Sequence, residues 1–385
     1  MDWQKEHLDK LLKMKELGKS DGDIAKALGR SYDSVHGKIK ALKAEGKLKE
    51  IKEAPIIINT EESIENVKCT QKESLSIIDK MRNQLLESLE KTKVRLNKQS
   101  LLVKYSRKKK DQASILDISD VHVGMVNKIF DSNLRKERTT YNYQIFLKEL
   151  GILKEAVFRI HDLQSKAHNL KDLYINLMGD VITNDRIFDG QTFHIDRCVG
   201  SQVWDTVSHF ARLIEDFKAI YEKVHVTTVV GNHGRSTMSY QSEEPVPNNF
   251  EYTLYRVLQL LFKGDNRVII DVPETREYIL DICGWKHLIM HGDSLRGSSE
   301  TYVTKQVKEL KLNLGDFDVL HMGHFHTLTD FEIGNSMLVK RNGCWIEADS
   351  YALTKFKQYS VPKQWFMGCN KNRKETWAYK IDLLG

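Results

Sequence analysis

Apolar residues recur at helical spacing through the first 48 positions. Leu8, Leu11, Leu12 and Leu17 form one set, Ile24, Ala25 and Leu28 a second, and Val35, Ile39 and Leu42 a third. Gly18 reads as a helix stop, Ser20 as the cap of a helix over Asp21 to Leu28, Gly29 as a turn, and Ser31 as the cap of a third helix. Residues 1–48 are therefore expected to form a small all-α domain with a helix-turn-helix pair. The pattern changes over 49–112: Pro55 and Ile56 to Ile58 give way to a charged run without Gly or Pro, which predicts a linker and a long helix. Its stripe of Leu75, Ile78, Leu85, Leu89 and Leu96 is irregular, and suits either a short coiled coil joining two copies of the chain or packing onto the next domain. From 113 to 385, short strands ending in polar loops alternate with helices, an α/β pattern. Ser114–Ile118, Leu173–Met178, Val224–Val230, His287–Met290 and Val319–Met322 are the strands that matter most, because a polar cluster follows each.

Composition narrows the class only slightly. The chain has 385 residues, 41% hydrophobic, with a formal charge of +6, enough apolar material for a large domain and a small one. A mild positive balance permits a polyanionic partner. Cys69, Cys198, Cys283, Cys344 and Cys369 are scattered, with no C-x-x-C pair, and read as free thiols. The start of the chain is charged, and no stretch approaches the roughly 18 uninterrupted apolar residues of a membrane span. A cytoplasmic location is expected.

The chemistry lies in five clusters: Asp120-Val121-His122, Gly179-Asp180, Gly231-Asn232-His233, His291-Gly292 and Gly323-His324-Phe325-His326. Any one alone is more often a turn or a structural histidine. All five follow strands, and loops at the carboxyl ends of strands in α/β sheets converge on sites. Alternate residues of an extended segment point the same way, so Asp120 with His122, and His324 with His326, can each present two ligands to one volume. Carboxylate and amide oxygens mixed with imidazole nitrogens suit manganese, iron or zinc better than magnesium. The neighbouring glycines are expected to permit sharp turns close to the ions.

In this order and spacing the clusters resemble the calcineurin-like metallophosphoesterase superfamily, whose pattern is D-x-H, G-D, G-N-H, H and G-H-x-H; the match covers about 113–350. The resemblance implies a four-layer α/β/β/α sandwich and two divalent cations, Mn2+ before Fe2+, Zn2+ or Mg2+. It implies one cation on Asp120, His122 and His326, a second on Asn232, His291 and His324, and Asp180 between them. His233 would assist the phosphoryl transition state or protonate the leaving oxygen. Two cations about 3.5–4 Å apart would clamp a phosphate and make hydroxide available at neutral pH.

The sequence departs from many relatives in two places. Gly234 and Arg235 follow G-N-H where an acidic residue is common, so a carboxylate partner for His233 is expected elsewhere, with Asp205, Asp216 and Asp293 as candidates. The repair-exonuclease branch, nearest in character, often has a histidine soon after G-D. Thr183 stands there instead; His194 could substitute from a loop, with a structural or exposed histidine as the favoured reading. Asn184 and Arg186 are candidate substrate contacts, with an exposed loop as the competing reading.

The first segment resembles Myb-like and resolvase-like helix-turn-helix modules over "GKSDGDIAKALGRSYDSVHGKIKALKAEGKL". By that resemblance Arg30, Tyr32, Asp33, Ser34, His36, Lys38 and Lys40 are candidates for DNA contact, with a protein-binding module as the alternative. The run Arg107 to Lys110 could touch phosphates or be a solvated boundary. Aromatics at Trp365, Phe366, Trp377 and Tyr379 are expected in the core rather than stacked on bases. The expected activity is thus phosphodiester hydrolysis on nucleic acid, a DNA nuclease. The alternatives are a phosphatase or phosphodiesterase for small nucleotides, with the helices used for assembly, and a non-catalytic DNA-binding scaffold.

Overall fold

The computed structural model describes residues 3–16, 19–45, 87, 109–131, 135–239, 244–297, 299–334, 336–348 and 359–384. The stripe from Leu75 to Leu96, with Leu17, Gly18, Cys69, Arg107 and Lys108, lies outside the described residues. The chain falls into two compact units, Met1–Tyr105 and Ser106–Gly385.

The first unit holds α1 (Lys5–Glu16), α2 (Asp21–Leu28) and α3 (Tyr32–Ala44). Ser20 accepts the Asp23 N–H and Ser31 the Ser34 N–H, capping α2 and α3, and Gly29 closes α2 at φ 61°. Leu11, Ile24, Val35, Ile39 and Leu42 make the buried core. On the face named for DNA contact, Tyr32, Asp33 and Lys40 are exposed, while Ser34 and Lys38 are half-buried. The His36 ring stacks on Tyr32 and bonds Asp21 at 2.7 Å, and the Arg30 guanidinium lies 4.5 Å over the Trp3 ring. His36 and Arg30 are therefore engaged within the unit.

The second unit begins with β1 (Lys110–Ile118), three residues ahead of the expected domain start, followed by the hairpin β2 (Asn127–Asp131) and β3 (Lys136–Tyr141). Then come α4 (Tyr143–Ser165), β4 (His168–Met178), α5 (Val199–Lys218), β5 (Lys223–Val229), α6 (Phe250–Leu261) and β6 (Val268–Asp271). After β7 (Glu277–Ile282) and β8 (Trp285–Met290) the chain forms α7 (Glu300–Leu314), β9 (Val319–Met322), β10 (Thr329–Ile333) and β11 (Met337–Arg341). It ends with β12 (Lys363–Asn370) and β13 (Arg373–Asp382). One sheet has the order β13-β12-β1-β4-β5-β6 and another β10-β11-β9-β8-β7. β1, β4, β5 and β6 are parallel, as are β8, β9 and β11; β7, β10, β12 and β13 pair antiparallel.

β1 is buried without interruption from Gln112 to Ile118, as a parallel strand covered on both faces must be. Its Leu116 and Ile118 join Leu177 and Val226 against Phe146 and Leu153 of α4, Phe210 of α5 and Leu254 of α6. The alternate residues Ala113 and Ile115 face the other way, onto Ile282, Trp365 and Met367. On the second sheet, Leu288, Leu320 and Val339 pack under Val303 and Val307 of α7. Trp365 and Phe366 are buried in the core.

Two polar constructions cross between the sheets. Asn176 Nδ2 donates to Asp117 Oδ1 at 2.7 Å, His321 Nδ1 bonds Asp117 Oδ2 at 2.7 Å, and His321 Nε2 bonds His287 Nδ1 at 2.8 Å, all four residues fully buried. Lys340, also fully buried, pairs with Asp330 at 3.0 Å and with Glu375, its ammonium 4.3 Å from the centre of the Trp365 ring. Among the described residues no helix is long and apolar enough to cross a membrane.

Candidate metal centre

Each polar cluster follows the carboxyl end of a strand. Asp120 and His122 follow β1, Asp180 follows β4, Asn232 and His233 follow β5, His291 follows β8, and His324 and His326 follow β9. Three of these strands belong to one sheet and two to the other. The side chains therefore meet only because the sheets are stacked.

Asp120, His122 and His326 bring donor atoms within 4.8 Å of one another; Asp180, His291 and His324 do the same, and His122, Asp180 and His233 form an intermediate group. His326 Nε2 lies 3.3 Å from His122 Nε2 and 3.4 Å from Asp120 Oδ1. His291 Nε2 lies 3.1 Å from both Asp180 Oδ2 and Asn232 Oδ1. His122 and His326 turn ring nitrogens toward one another, and His326 toward the Asp120 carboxylate, and the mixed nitrogen and oxygen set fits a borderline divalent ion. His291 Nδ1 donates to the Met178 carbonyl at 2.8 Å, which directs Nε2 inward.

The electrostatics agree with that fit. Burial, then His233, pushes the His122 imidazole down to about 3, and burial, then His291, pushes His324 down to about 4, so both keep lone pairs at neutral pH. Burial would raise the Asp180 carboxyl, but His291 and His233 overcome it and hold the group well below its ordinary range. Burial would likewise lower His291, but Asp180 overcomes it and raises the imidazole to about 10.

The backbone corrects one expectation. Asp120, His122, Asp180, Asn184, His324 and His326 have φ between 51° and 70°, six of the nine described non-glycine residues with positive φ. The D-x-H and H-x-H pairs thus converge through left-handed turns, not by the alternation of an extended strand. Such backbone is costly for residues with a Cβ and clusters at functional sites. Of the neighbouring glycines, Gly179 (φ 77°) and Gly292 (φ 112°) make the expected turns, whereas Gly231 and Gly323 do something else: a Cβ on Gly231 would lie 2.1 Å from Asp180 Oδ1, and one on Gly323 2.5 Å from Asp120 Oδ2. At these two positions glycine allows a carboxylate to approach.

His233 is half-buried, its N–H donating to Asp180 Oδ1 at 2.7 Å and its Nδ1 bonded to the Thr183 carbonyl at 3.0 Å. The expected carboxylate partner is thus replaced by a main-chain oxygen. Asp205 pairs with Arg197 and Asp216 with Lys154. Asn184 is buried and gives its amide to the carbonyls of His233 and Arg235 at 2.7 and 2.9 Å. Arg186 extends into solvent beside Asp185. His194 lines the cavity at the site, with its carbonyl accepting the Val126 N–H.

Several residues with no motif hold the loops. Glu251 is buried and accepts the N–H groups of Val181 (2.6 Å), Gly231 (2.7 Å) and Ile182 (3.4 Å); burial, then Asp180, raises its pKa to about 8. Asn249 caps α6 and bonds the Gly231 carbonyl. Ser119 donates to Asp120 Oδ2 at 2.6 Å, and Asn342 to Ser119 at 3.1 Å. Arg235 donates to the carbonyls of Asn232 and Ile187, joining two loops. A polar residue after Asn249-Phe250 carries no sequence signal beyond a helix cap, which is why Glu251 escapes a reading of motifs. The cavity itself is 940 Å³, with His122, Lys128, Asp180, Phe188, Phe193 and His233 among its lining residues.

No family model matches the chain, and no curated protein matches it. Among solved structures, wild-type Vps29 from Entamoeba histolytica complexed with Zn2+ matches at 14% identity, over 70% of this chain and 99% of that one, with a TM-score of 0.30. A predicted phosphoesterase from Streptococcus pneumoniae matches at 9% identity over 70% and 98%, TM-score 0.30. The 5'-nucleotidase from Candida albicans matches at 11% over 72% of this chain and 53% of that one, TM-score 0.33. At such scores the likenesses carry no argument, and the site must speak through its own chemistry.

Proposed function

We propose that Ser106–Gly385 is a two-metal-dependent phosphodiester hydrolase of the calcineurin-like metallophosphoesterase superfamily, folded as a four-layer α/β/β/α sandwich, and that its substrate is nucleic acid, DNA foremost. The observation that carries this is the pair of donor groups Asp120–His122–His326 and Asp180–His291–His324, joined by a third in which His122, Asp180 and His233 bring donor atoms within 4.8 Å of one another. Asp120, His122 and His326 would hold one cation, Asn232, His291 and His324 the other, and Asp180 would serve both. The bound cations, Mn2+ before Fe2+, Zn2+ or Mg2+, would supply Lewis-acid polarisation of a phosphoryl oxygen and a nucleophile at neutral pH.

The chain's own residues supply the rest. Donation from His233 Nδ1–H to Thr183 leaves Nε2 as the working nitrogen, suited to protonating the leaving oxygen. Asp180 accepts the main-chain N–H of His233 and so anchors its backbone, while the Nδ1 bond to Thr183 orients the ring. Lys128 on the cavity wall, 3.8 Å from Glu137, would turn its ammonium to a phosphodiester. Support for DNA comes from the three-helix unit, whose exposed Tyr32 and Lys40 and half-buried Ser34 and Lys38 would supply contacts, with Arg30 and His36 after release from Trp3 and Asp21. A second reading, hydrolysis of small nucleotides, is favoured by the 940 Å³ cavity, which falls in the size range of small-molecule sites.

The test incubates wild type and Asp180→Asn with labelled linear, circular and single-stranded DNA, RNA, and mononucleotide esters, in magnesium and in manganese. Cleavage of DNA by wild type alone is expected. Cleavage of mononucleotide esters without nucleic acid moves the assignment to the second reading, and no turnover of any substrate leaves only a DNA-binding scaffold. Salt-dependent DNA binding should vanish when residues 1–48 are deleted.

A further inference from the structure

Two aromatic rings stand in the open on the wall of the cavity. Phe188 is 43% exposed and Phe193 86% exposed, both on the segment that follows Asp180. Exposed apolar rings are ordinary when scattered, but two on one loop beside a polar, metal-ligating site call for an occupant. The loop that carries them is pinned. Gln191 accepts the Ile187 N–H and donates to the Thr183 carbonyl, Arg235 holds the Ile187 carbonyl, and the His194 carbonyl accepts the Val126 N–H. The rings are thus held out from a fixed backbone, which lowers the entropy lost when something flat lies against them. Phe188 also stands edge-on to His233, ring centres 6.3 Å apart, so whatever it contacts sits beside the reacting phosphate.

We propose that Phe188 and Phe193 form a stacking site for a planar nucleobase, belonging to a nucleoside bonded directly to the phosphate that the site hydrolyses. This rests on the phosphodiester-hydrolase reading and adds what the substrate must carry. A base has a π face whatever its hydrogen-bonding edge, so the site selects for the presence of a base and not for its identity. No covalent step is involved.

The test compares a dithymidine phosphodiester with the two dinucleotides in which one base or the other is replaced by an abasic tetrahydrofuran. In wild type, removal of one of the bases is expected to lower kcat/KM by about tenfold or more, the scale of one stacked base. In Phe188→Ala/Phe193→Ala that ratio should fall close to one. Phe193→Leu, apolar but without a π face, should lose most of the preference; if it retains all of it, the pocket is a general apolar one and the proposal fails. Equal rates with and without each base in wild type also overturn it, while leaving the hydrolase reading intact. Calorimetry with the phosphorothioate forms of the same dinucleotides reads binding apart from turnover. A base-dependent affinity that Phe188→Ala/Phe193→Ala abolishes sustains the stacking site even if hydrolysis is absent, and affinity independent of the bases removes it.

Discussion

Asp180 receives His291 Nε2 on one carboxylate oxygen and the His233 N–H on the other. Asp180→Asn is therefore expected to strip both cations, read as a fall from two equivalents by elemental analysis of the purified protein. His233→Ala should retain both and slow turnover by roughly 10²–10⁴-fold; metal loss equal to that of Asp180→Asn would contradict the assignment. Gly231→Ala sets a methyl group 2.1 Å from Asp180 Oδ1 and should weaken metal binding while costing about 1–3 kcal/mol of stability, checked by denaturant titration. The residues that gather at the candidate metal centre, and their order, were legible in the chain, because D-x-H, G-D, G-N-H, H and G-H-x-H are local patterns. Their left-handed backbone was not, since φ at Asp120 or His326 is imposed by the whole site and leaves no trace in neighbouring residues.

At the scale of elements, caps and turns were readable and supports were not. Ser20, Gly29 and Ser31 act locally, so α2 and α3 follow from their own sequence. Glu251 acts across about twenty and seventy positions, on Gly231, Val181 and Ile182, and such a bond has no local signature. Because it gathers the loops after β4 and β5, Glu251→Ala should leave buried N–H groups unpaired. The expected cost is about 2–3 kcal/mol in chemical denaturation, with metal affinity lowered roughly 10–100-fold in a competition assay. Unchanged affinity would show that the loops hold without it.

For the whole molecule, the pairing of strands into two sheets was the least legible level, because the faces of β1 and β8 are set by partners far away in sequence. Asp117, His321 and His287 look in sequence like ordinary strand residues, yet they bridge the sheets. Asp117→Ala should destabilise the protein by about 3 kcal/mol, read from the denaturation midpoint, since it leaves buried imidazole N–H without an acceptor. Glu149 of α4 is buried, with neither oxygen hydrogen-bonded among the described residues, and burial raises its pKa to about 9. In the unfolded chain it titrates near 4.5, so between those values the unfolded state releases a proton that the folded state keeps. Stability from this group is full below about pH 4.5 and falls as pH rises toward 9. Glu149→Gln should flatten the decline of Tm over that window, and an unchanged slope would remove Glu149 as its source. The division of the candidate donor residues between two sheets carries one more implication. Cations bound across that seam would act as rivets, and thermodynamic reciprocity requires that whatever loosens the seam weakens them in equal measure. Metal affinity would then serve as a gauge of sheet docking, responsive to a change at Lys340 or His287 that never touches a ligand.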